Sequence, residues 1–378
     1  MRFIICLGMV SLFADITYEG ARSITGPLFK SLGASAAQVG FITGLGEFCG
    51  FTLRLASGML ADRTRAYWTI TILGYCVNLI AVPLLAFAGN WPMAALLIVA
   101  ERTGKSLRAP ARDVLLSEAA HSVGQGWAFG LHAAMDQTGA VLGPLFVAWS
   151  VARTHGYSSA FLYLAIPAAA AIAMLLTART VAPVYEHEEP KSTDSQRLPR
   201  VFWWYVLAAA LLAVGFCDFP LIAYHFEKTS LASPAAIPLL YAVAMAMNGI
   251  MAPVFGKLYD RFGLAALSGG LLISLAALPL AFFGGFGMAM AGVACWGTGM
   301  GAMDASLRAG IAQVVSMNKR GRAFGVFNAV YGAAWLLGSS AMGLLYDSSL
   351  AALVALGVVS QLAAAALFYS LRERIQAR

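Results

Sequence analysis

The sequence predicts an all-α membrane protein of twelve transmembrane helices, arranged as two pseudo-symmetric six-helix bundles. Three observations predict it. Of the 378 residues, 60% are hydrophobic and only 11% charged, about half the charged share of a soluble domain. The chain divides into twelve apolar runs of roughly the 20 residues a bilayer core requires. Short patterns of the first half also recur in the second at nearly one offset.

The runs lie at 3–30, 37–61, 68–88, 93–117, 125–152, 158–178, 201–227, 234–258, 264–284, 287–316, 321–346 and 350–371. Their connectors are short and marked by Gly, Pro, Asn or charge, as at Gly89-Asn90-Trp91-Pro92. Only 179–200 is longer, with Glu186, Glu188, Glu189, Lys191, Asp194 and Arg197 among three prolines. That composition predicts a mobile cytoplasmic linker between an N-terminal bundle, 1–178, and a C-terminal bundle, 201–378. The first run is too long for a cleavable signal and contains Asp15 and Glu19. Cys6, Cys49, Cys76, Cys217 and Cys295 sit in apolar runs without metal-like spacing, as small core residues do.

Lysine and arginine set the expected orientation. The N-terminus, the even-numbered connectors and the C-terminus hold 15 of them, and the opposite side only Lys30, Arg153 and Lys228. Positive charge favours the cytoplasmic side, so both termini are expected there, in a multi-pass protein of a bacterial inner membrane. The net charge of +7 is spread over loops and spans without a basic tail or face, which argues against nucleic acid.

Gly58-Met59-Leu60-Ala61-Asp62-Arg63 recurs as Gly256-Lys257-Leu258-Tyr259-Asp260-Arg261, an offset of 198. Ser106-Leu107-Arg108-Ala109 recurs as Ser306-Leu307-Arg308-Ala309, an offset of 200, and Ala128-Phe129-Gly130 as Ala323-Phe324-Gly325, an offset of 195. These matches put equivalent helices six apart. The chain resembles the major facilitator superfamily over its whole length. The Gly58–Arg65 block looks like that family's loop between helices 2 and 3, and Gly256–Gly263 like its copy between helices 8 and 9. In the first copy the glycine usual after the Asp-Arg pair is replaced by Arg65. The resemblance implies the major facilitator fold and a conformational gate at Gly58, Asp62, Arg63, Gly256, Asp260 and Arg261. Gly58 is expected to permit close helix approach and Asp62 to pair with a basic group or cap a helix. Proton-coupled drug exporters of the superfamily carry spaced glycines and a Gly-Pro in helix 5. Gly130, Gly139, Gly143 and Pro144 stand at that spacing, without the small pair usual after them. Small residues on one stripe let helix backbones approach.

A charge within a span is costly unless paired or wet, and so marks function. Span 1 carries Asp15, Glu19 and Arg22 at steps of four and three, on one face. Span 4 carries Glu101, Lys105, Arg108 and Arg112 as a continuous stripe, with Arg102 and Asp113 one position off it. Glu47 and Arg54 lie in span 2, Asp136 in span 5, Asp218 in span 7, and Asp304 and Arg308 in span 10. Carboxylates in a partly dry cavity beside arginines suit proton coupling, which is expected of Asp15, Glu19, Glu47 and Asp136. Arg22, Glu101, Arg102, Lys105, Arg108, Arg112, Asp218, Asn248, Trp296, Asp304 and Arg308 are expected to line a substrate cavity. The competing reading makes Asp15–Arg22 and Glu101–Lys105 salt bridges within one helix that hold register.

Gly104-Lys105-Ser106 ends like a phosphate-binding loop, but Val99 replaces the required glycine and no strand precedes it. His187-Glu188-Glu189 has no second histidine at zinc-protease spacing, and His132 and His225 read as packing residues. No metal, cofactor or enzymatic nucleophile is expected. The expected function is secondary transport of a small organic solute by alternating access, coupled to protons and directed outward, by a monomer in the lipid bilayer. The alternative is an importer or exchanger of an organic anion, drawn to the Arg/Lys-rich cavity. A membrane sensor or scaffold is the remote one, since no output domain accompanies the spans.

Overall fold

The computed structural model describes residues 1–120, 124–154, 156–182, 198–316 and 319–376, with side chains through Arg372. The core of the expected linker, 183–197, lies outside them. Among the described residues all regular structure is helical. The elements are α1 (Arg2–Ser31), α2 (Ala36–Thr64), α3 (Tyr67–Leu84, closed by a 3-10 turn at Leu85–Phe87), α4 (Trp91–Ala120) and α5 (Gln125–Thr154). Then follow α6 (Tyr157–Tyr163), α7 (Ala165–Thr180), α8 (Arg200–Gly215), α9 (Phe219–Lys228) and α10 (Ala236–Phe262). The last are α11 (Leu264–Ser274), α12 (Ala277–Phe283), α13 (Phe286–Val314), α14 (Arg320–Ser348) and α15 (Leu350–Gln376).

Twelve spans account for these helices because three spans are interrupted. Span 6 is α6 with α7, span 7 is α8 with α9, and span 9 is α11 with α12. Each interruption has the same local cause. Pro167, Pro220 and Pro279 lack the N–H that would bond back four residues, to Tyr163, Phe216 and Leu275. Those three residues stand at the end of α6 or cap the ends of α8 and α11. Pro27, Pro110, Pro144 and Pro253 lie inside continuous helices, so proline alone does not decide.

The interruption of span 7 is held from two sides. Phe216 and Asp218 have extended backbone, with ψ of 107° and 139°, which frees carbonyls that a helix would have satisfied. The Gln361 amide donates to the Gly215 carbonyl at 2.9 Å, and Ser274 fixes that amide through its other end at 2.6 Å. The Trp296 indole N–H donates to the Cys217 carbonyl at 2.8 Å. A bare carbonyl in lipid costs several kcal/mol, so these partners stabilise the break.

The chain forms two compact units. One comprises Met1–Ala34, Cys49–Pro190 and Ala232–Ala242, and the other Ser35–Phe48, Lys191–Leu231 and Val243–Arg378. Helix pairing repeats between them. In the first, α1 packs on α5 and α7, α3 on α4 and α7. In the second, α8 packs on α14 and α15, and α11 on α13 and α15. These are the same span pairs shifted by six, as the repeats predict. Nine spans among the described residues are long and apolar enough to cross a membrane on composition alone; α4, α5 and α13 are not. Span 4 falls short because it carries the charged stripe.

Candidate functional site

The first unit buries a cluster of charges where α1, α3, α4 and α5 meet. α5 reaches α1 through Gly139 and Gly143, where a side chain would strike the backbone carbonyls of Leu12 and Ile16. That approach brings Asp136 and His132 of α5 beside Ser11 and Asp15 of α1. Gly130, the third member of the helix 5 pattern, faces open space. The close approach is therefore made by two of the three glycines.

Glu19 is 8% exposed and has partners on two other helices. Its Oε2 accepts the Tyr241 hydroxyl at 2.5 Å, and its Oε1 lies 3.6 Å from Lys105 Nζ. Tyr241 belongs to the piece of α10 that packs in the same unit. Lys105 Nζ also sits 3.7 Å over the Tyr18 ring, where the ring's negative face offsets part of the desolvation. Lys105 thus bonds across helices, to Glu19. Glu101, one turn away on α4, is taken instead by Arg102, at 3.3 Å, and by the Asn78 amide, at 2.9 Å. In place of the Glu101–Lys105 bridge of the competing reading, Lys105 pairs with Glu19 of α1 and Glu101 accepts from Asn78 of α3, which fixes both helices against α4. Arg22 lies within electrostatic reach of Glu19.

One turn further along, Asp15 is 5% exposed and Arg108 is 2% exposed. The Arg108 guanidinium lies 4.0 Å over the Tyr75 ring, and its Nε is buried without a hydrogen-bond partner among the described residues. Next comes a chain of polar groups centred on Ser11. Its hydroxyl is 3.0 Å from His132 Nε2 and 3.5 Å from the Tyr75 hydroxyl, and it accepts Arg112 Nη1 at 3.3 Å. Arg112 also binds Asp113 at 2.8 Å. His132 Nε2 lies 3.6 Å from Asp136 Oδ1, one turn along α5. His132 is therefore part of the charged cluster, which corrects its reading as a packing residue. Its spacing of four from Asp136 was the available signal. Tyr18, Tyr75, Asn78 and Tyr241 were not singled out, because periodicity shows which face a residue takes and not which helix meets it.

The remaining expected residues belong to the second unit. Glu47 lies on the part of α2 that packs there, so the structure does not gather it with Asp15 and Glu19. The Asn248 amide donates to Asp304 at 3.2 Å, and Asp304 and Arg308 are exposed on α13. Asp218 is buried at the start of α9, and Trp296 is engaged in holding the break before it. His225 packs as expected, its Nδ1 2.9 Å from the Tyr346 hydroxyl.

The gate motif departs from its expected packing. A side chain at Gly58 would meet only Pro110, at an ordinary 3.7 Å, and Gly256 faces open space. Neither glycine makes the close approach expected of Gly58. Asp62 Oδ1 accepts the Tyr67 hydroxyl at a long 3.4 Å, a local contact across the turn. Arg63, Asp260 and Arg261 occupy the same helix ends in their two copies.

A bundle of interrupted spans around buried ion pairs is the build of a solute carrier, and comparison with known proteins decides its family. The family model described as Major Facilitator Superfamily matches residues 7–339 and again 218–377. The chain is a member of the major facilitator superfamily. It is similar to the uncharacterized protein Rv2265 of Mycobacterium tuberculosis, 40% identical over 98% of this chain and 93% of that one. The uncharacterized MFS-type transporter MJ1317 of Methanocaldococcus jannaschii is 25% identical over 91% of this chain and 88% of that one. The multidrug resistance protein MdtH of Photorhabdus laumondii is 26% identical over 68% and 64%. Among solved structures, a POT family transporter in complex with a thioalcohol-conjugated peptide matches with a TM-score of 0.79 at 13% identity, covering 99% of this chain and 96% of that one. The nucleoside transporter NupG matches at 0.73 and 13%, covering 100% and 99%. These two likenesses show the fold. The major facilitator protein described here is thus a multi-pass membrane transporter of small solutes, and not an enzyme.

Proposed function

We propose that this major facilitator protein exports a small organic solute in exchange for protons. In this reading it is a monomer of a bacterial inner membrane with both termini cytoplasmic, and its bundles 1–178 and 201–378 alternate access to a site lined by the charged spans. The observation that carries it is the balance of the charged cluster, which is buried at Asp15, Glu19, Glu101 and Arg108 and open to solvent at Asp113 and Asp136. Asp15, Glu19, Glu101, Asp113 and Asp136 face Arg22, Arg102, Lys105, Arg108 and Arg112, five acids against five bases. A proton or a cationic solute each adds one uncompensated charge to a poorly solvated region, so the two exclude one another. Mutual exclusion of two ligands is what an antiporter requires. The glycines that seat α5 on α1 and the similarity to a multidrug resistance protein support the outward direction.

The test is reconstitution in liposomes that trap a pH indicator, screened for solutes that drive a pH change. Asp15→Asn and Glu19→Gln are expected to abolish solute-driven proton movement while leaving a monodisperse, folded protein. Solute transport indifferent to both pH gradient and membrane potential sinks proton exchange. One observation favours the second reading, an organic-anion transporter. Arg108 presents a buried Nε without a hydrogen-bond partner, a group suited to a carboxylate or phosphate. That reading requires Arg108→Ala to abolish uptake of an anionic solute that the wild type carries.

A further inference from the structure

We propose that His132 and Asp136 form one proton-binding pair, which passes protons between solvent and the buried face of α1 through the Ser11 hydroxyl. The proposal rests on the proton-coupled reading above and adds a route to it. The two members differ in access. Asp136 has a third of its side chain exposed, whereas the His132 side chain is 5% exposed. The carboxylate is the mouth and the imidazole the interior end. Their atoms stand 3.6 Å apart on adjacent turns of one helix, so a small side-chain rotation closes a hydrogen bond between them.

From His132 Nε2 the next polar atom inward is Ser11 Oγ, at 3.0 Å, on the helix that carries Asp15 one turn further on. Asp136 is itself within electrostatic reach of Asp15. A hydroxyl takes a proton from the imidazole only as it releases its own, and the carboxylate able to keep that proton is Asp15, one turn along α1. His132 Nδ1 is buried with no hydrogen-bond partner among the described residues. Nε2 faces both the carboxylate and the hydroxyl, so one nitrogen takes the proton from Asp136 and gives it to Ser11, while Nδ1 keeps its own proton throughout.

The surrounding charges give the pair two settings. Arg108, Arg112 and Asp113 of α4 face the ring, with Tyr75 of α3 beyond Ser11. Arg112 now engages Ser11 and Asp113. While it stays near, its charge repels an added proton, and Asp136 attracts one. Withdrawal of Arg112 as the helices move would therefore load the pair, and its return would discharge it. In each transfer the proton leaves one oxygen or nitrogen for the next, and no bond other than to hydrogen is made or broken.

The experiment is ¹⁵N NMR of histidine-labelled full-length protein in lipid nanodiscs, titrated across neutral and acid pH. The His132 signals are assigned by their loss in His132→Gln. If that variant does not fold, they are assigned by replacing the other four histidines, His121, His155, His187 and His225. The expected result is a His132 ring whose signals change with pH, with a midpoint displaced by about one unit or more in Asp136→Asn. Signals that never move with pH, or that move identically in Asp136→Asn, overturn the pair. Ser11→Ala is expected to leave binding in place and to slow solute-driven proton movement in liposomes. Unchanged proton movement overturns the Ser11 route. The spectra need no solute, so His132 fails or stands independently of the exporter reading. Proton exchange intact in a His132→Gln protein sinks the pair and spares that reading.

Discussion

Arg65 and Gly263 hold equivalent places in the two copies of the gate motif, and both have positive φ, 54° and 58°. Gly263 adds a ψ of −137°, a conformation open almost only to glycine. Arg65 adopts a positive φ without that freedom, so the two copies share the sign of φ and not the glycine. Arg65→Gly is expected to raise stability by about 1 kcal/mol, and Gly263→Ala to lower it by about 1–3 kcal/mol. Thermal unfolding in detergent measures both. The repeat Ser-Leu-Arg-Ala shows the opposite behaviour. Ser106 and Ser306 are both buried, yet Arg108 lies beneath Tyr75 while Arg308 is exposed. The motif was legible and the fate of its arginine was not, because that depends on a tyrosine of another helix. The same holds for Glu19, whose hydroxyl partner lies 222 residues away.

At the scale of elements, the spans were legible and their interruptions were not. Each of the twelve expected runs corresponds to one helix or to two in succession. Hydropathy averages over a window and cannot register a break of one to three residues. Pro167, Pro220 and Pro279 carried the signal, but prolines such as Pro27, Pro110, Pro144 and Pro253 sit in unbroken helices, so the prolines needed the structure to be sorted. Two predictions belong here. Trp296→Phe keeps the aromatic packing against Phe216 and Phe219 but strands the Cys217 carbonyl. It is expected to destabilise by about 1–3 kcal/mol, read as a lowered unfolding temperature. Gly139→Leu forces α5 from α1 and is expected to cost more, with loss of folded protein on size exclusion, whereas Gly130→Leu points into open space and leaves folding unchanged.

At the scale of the whole molecule, charge separates the two units more sharply than fold does. Both repeat the same helix pairings, while the first concentrates its ionised groups on α1, α4 and α5. That asymmetry was readable from spacing alone, since steps of three and four placed each set on one face. The pairing itself was not: Lys105 meets Glu19 of α1 and not Glu101, while Glu101–Arg102 and Arg112–Asp113 pair between neighbours on α4. Removing one partner strands a charge, whereas removing both leaves a neutral contact. Glu19→Gln and Lys105→Met are therefore each expected to destabilise more than the double variant, with a coupling of about 1–3 kcal/mol in a double-mutant cycle.

The broken span 7 constrains how the protein is made. α8 has 16 residues and α9 has 10, so they rise about 24 Å and 15 Å, each short of a bilayer core of about 30 Å. Neither segment is a membrane anchor alone, and the bend between them exposes carbonyls to lipid as soon as it leaves the insertion machinery. The groups that quiet those carbonyls are Trp296 and Gln361, synthesised about 80 and 145 residues later. Span 7 is thus expected to settle only when spans 10 and 12 join it. A ribosome-stalled chain ending before Gln361 should keep that segment open to protease or to a chaperone of the bilayer, and the final span should close it.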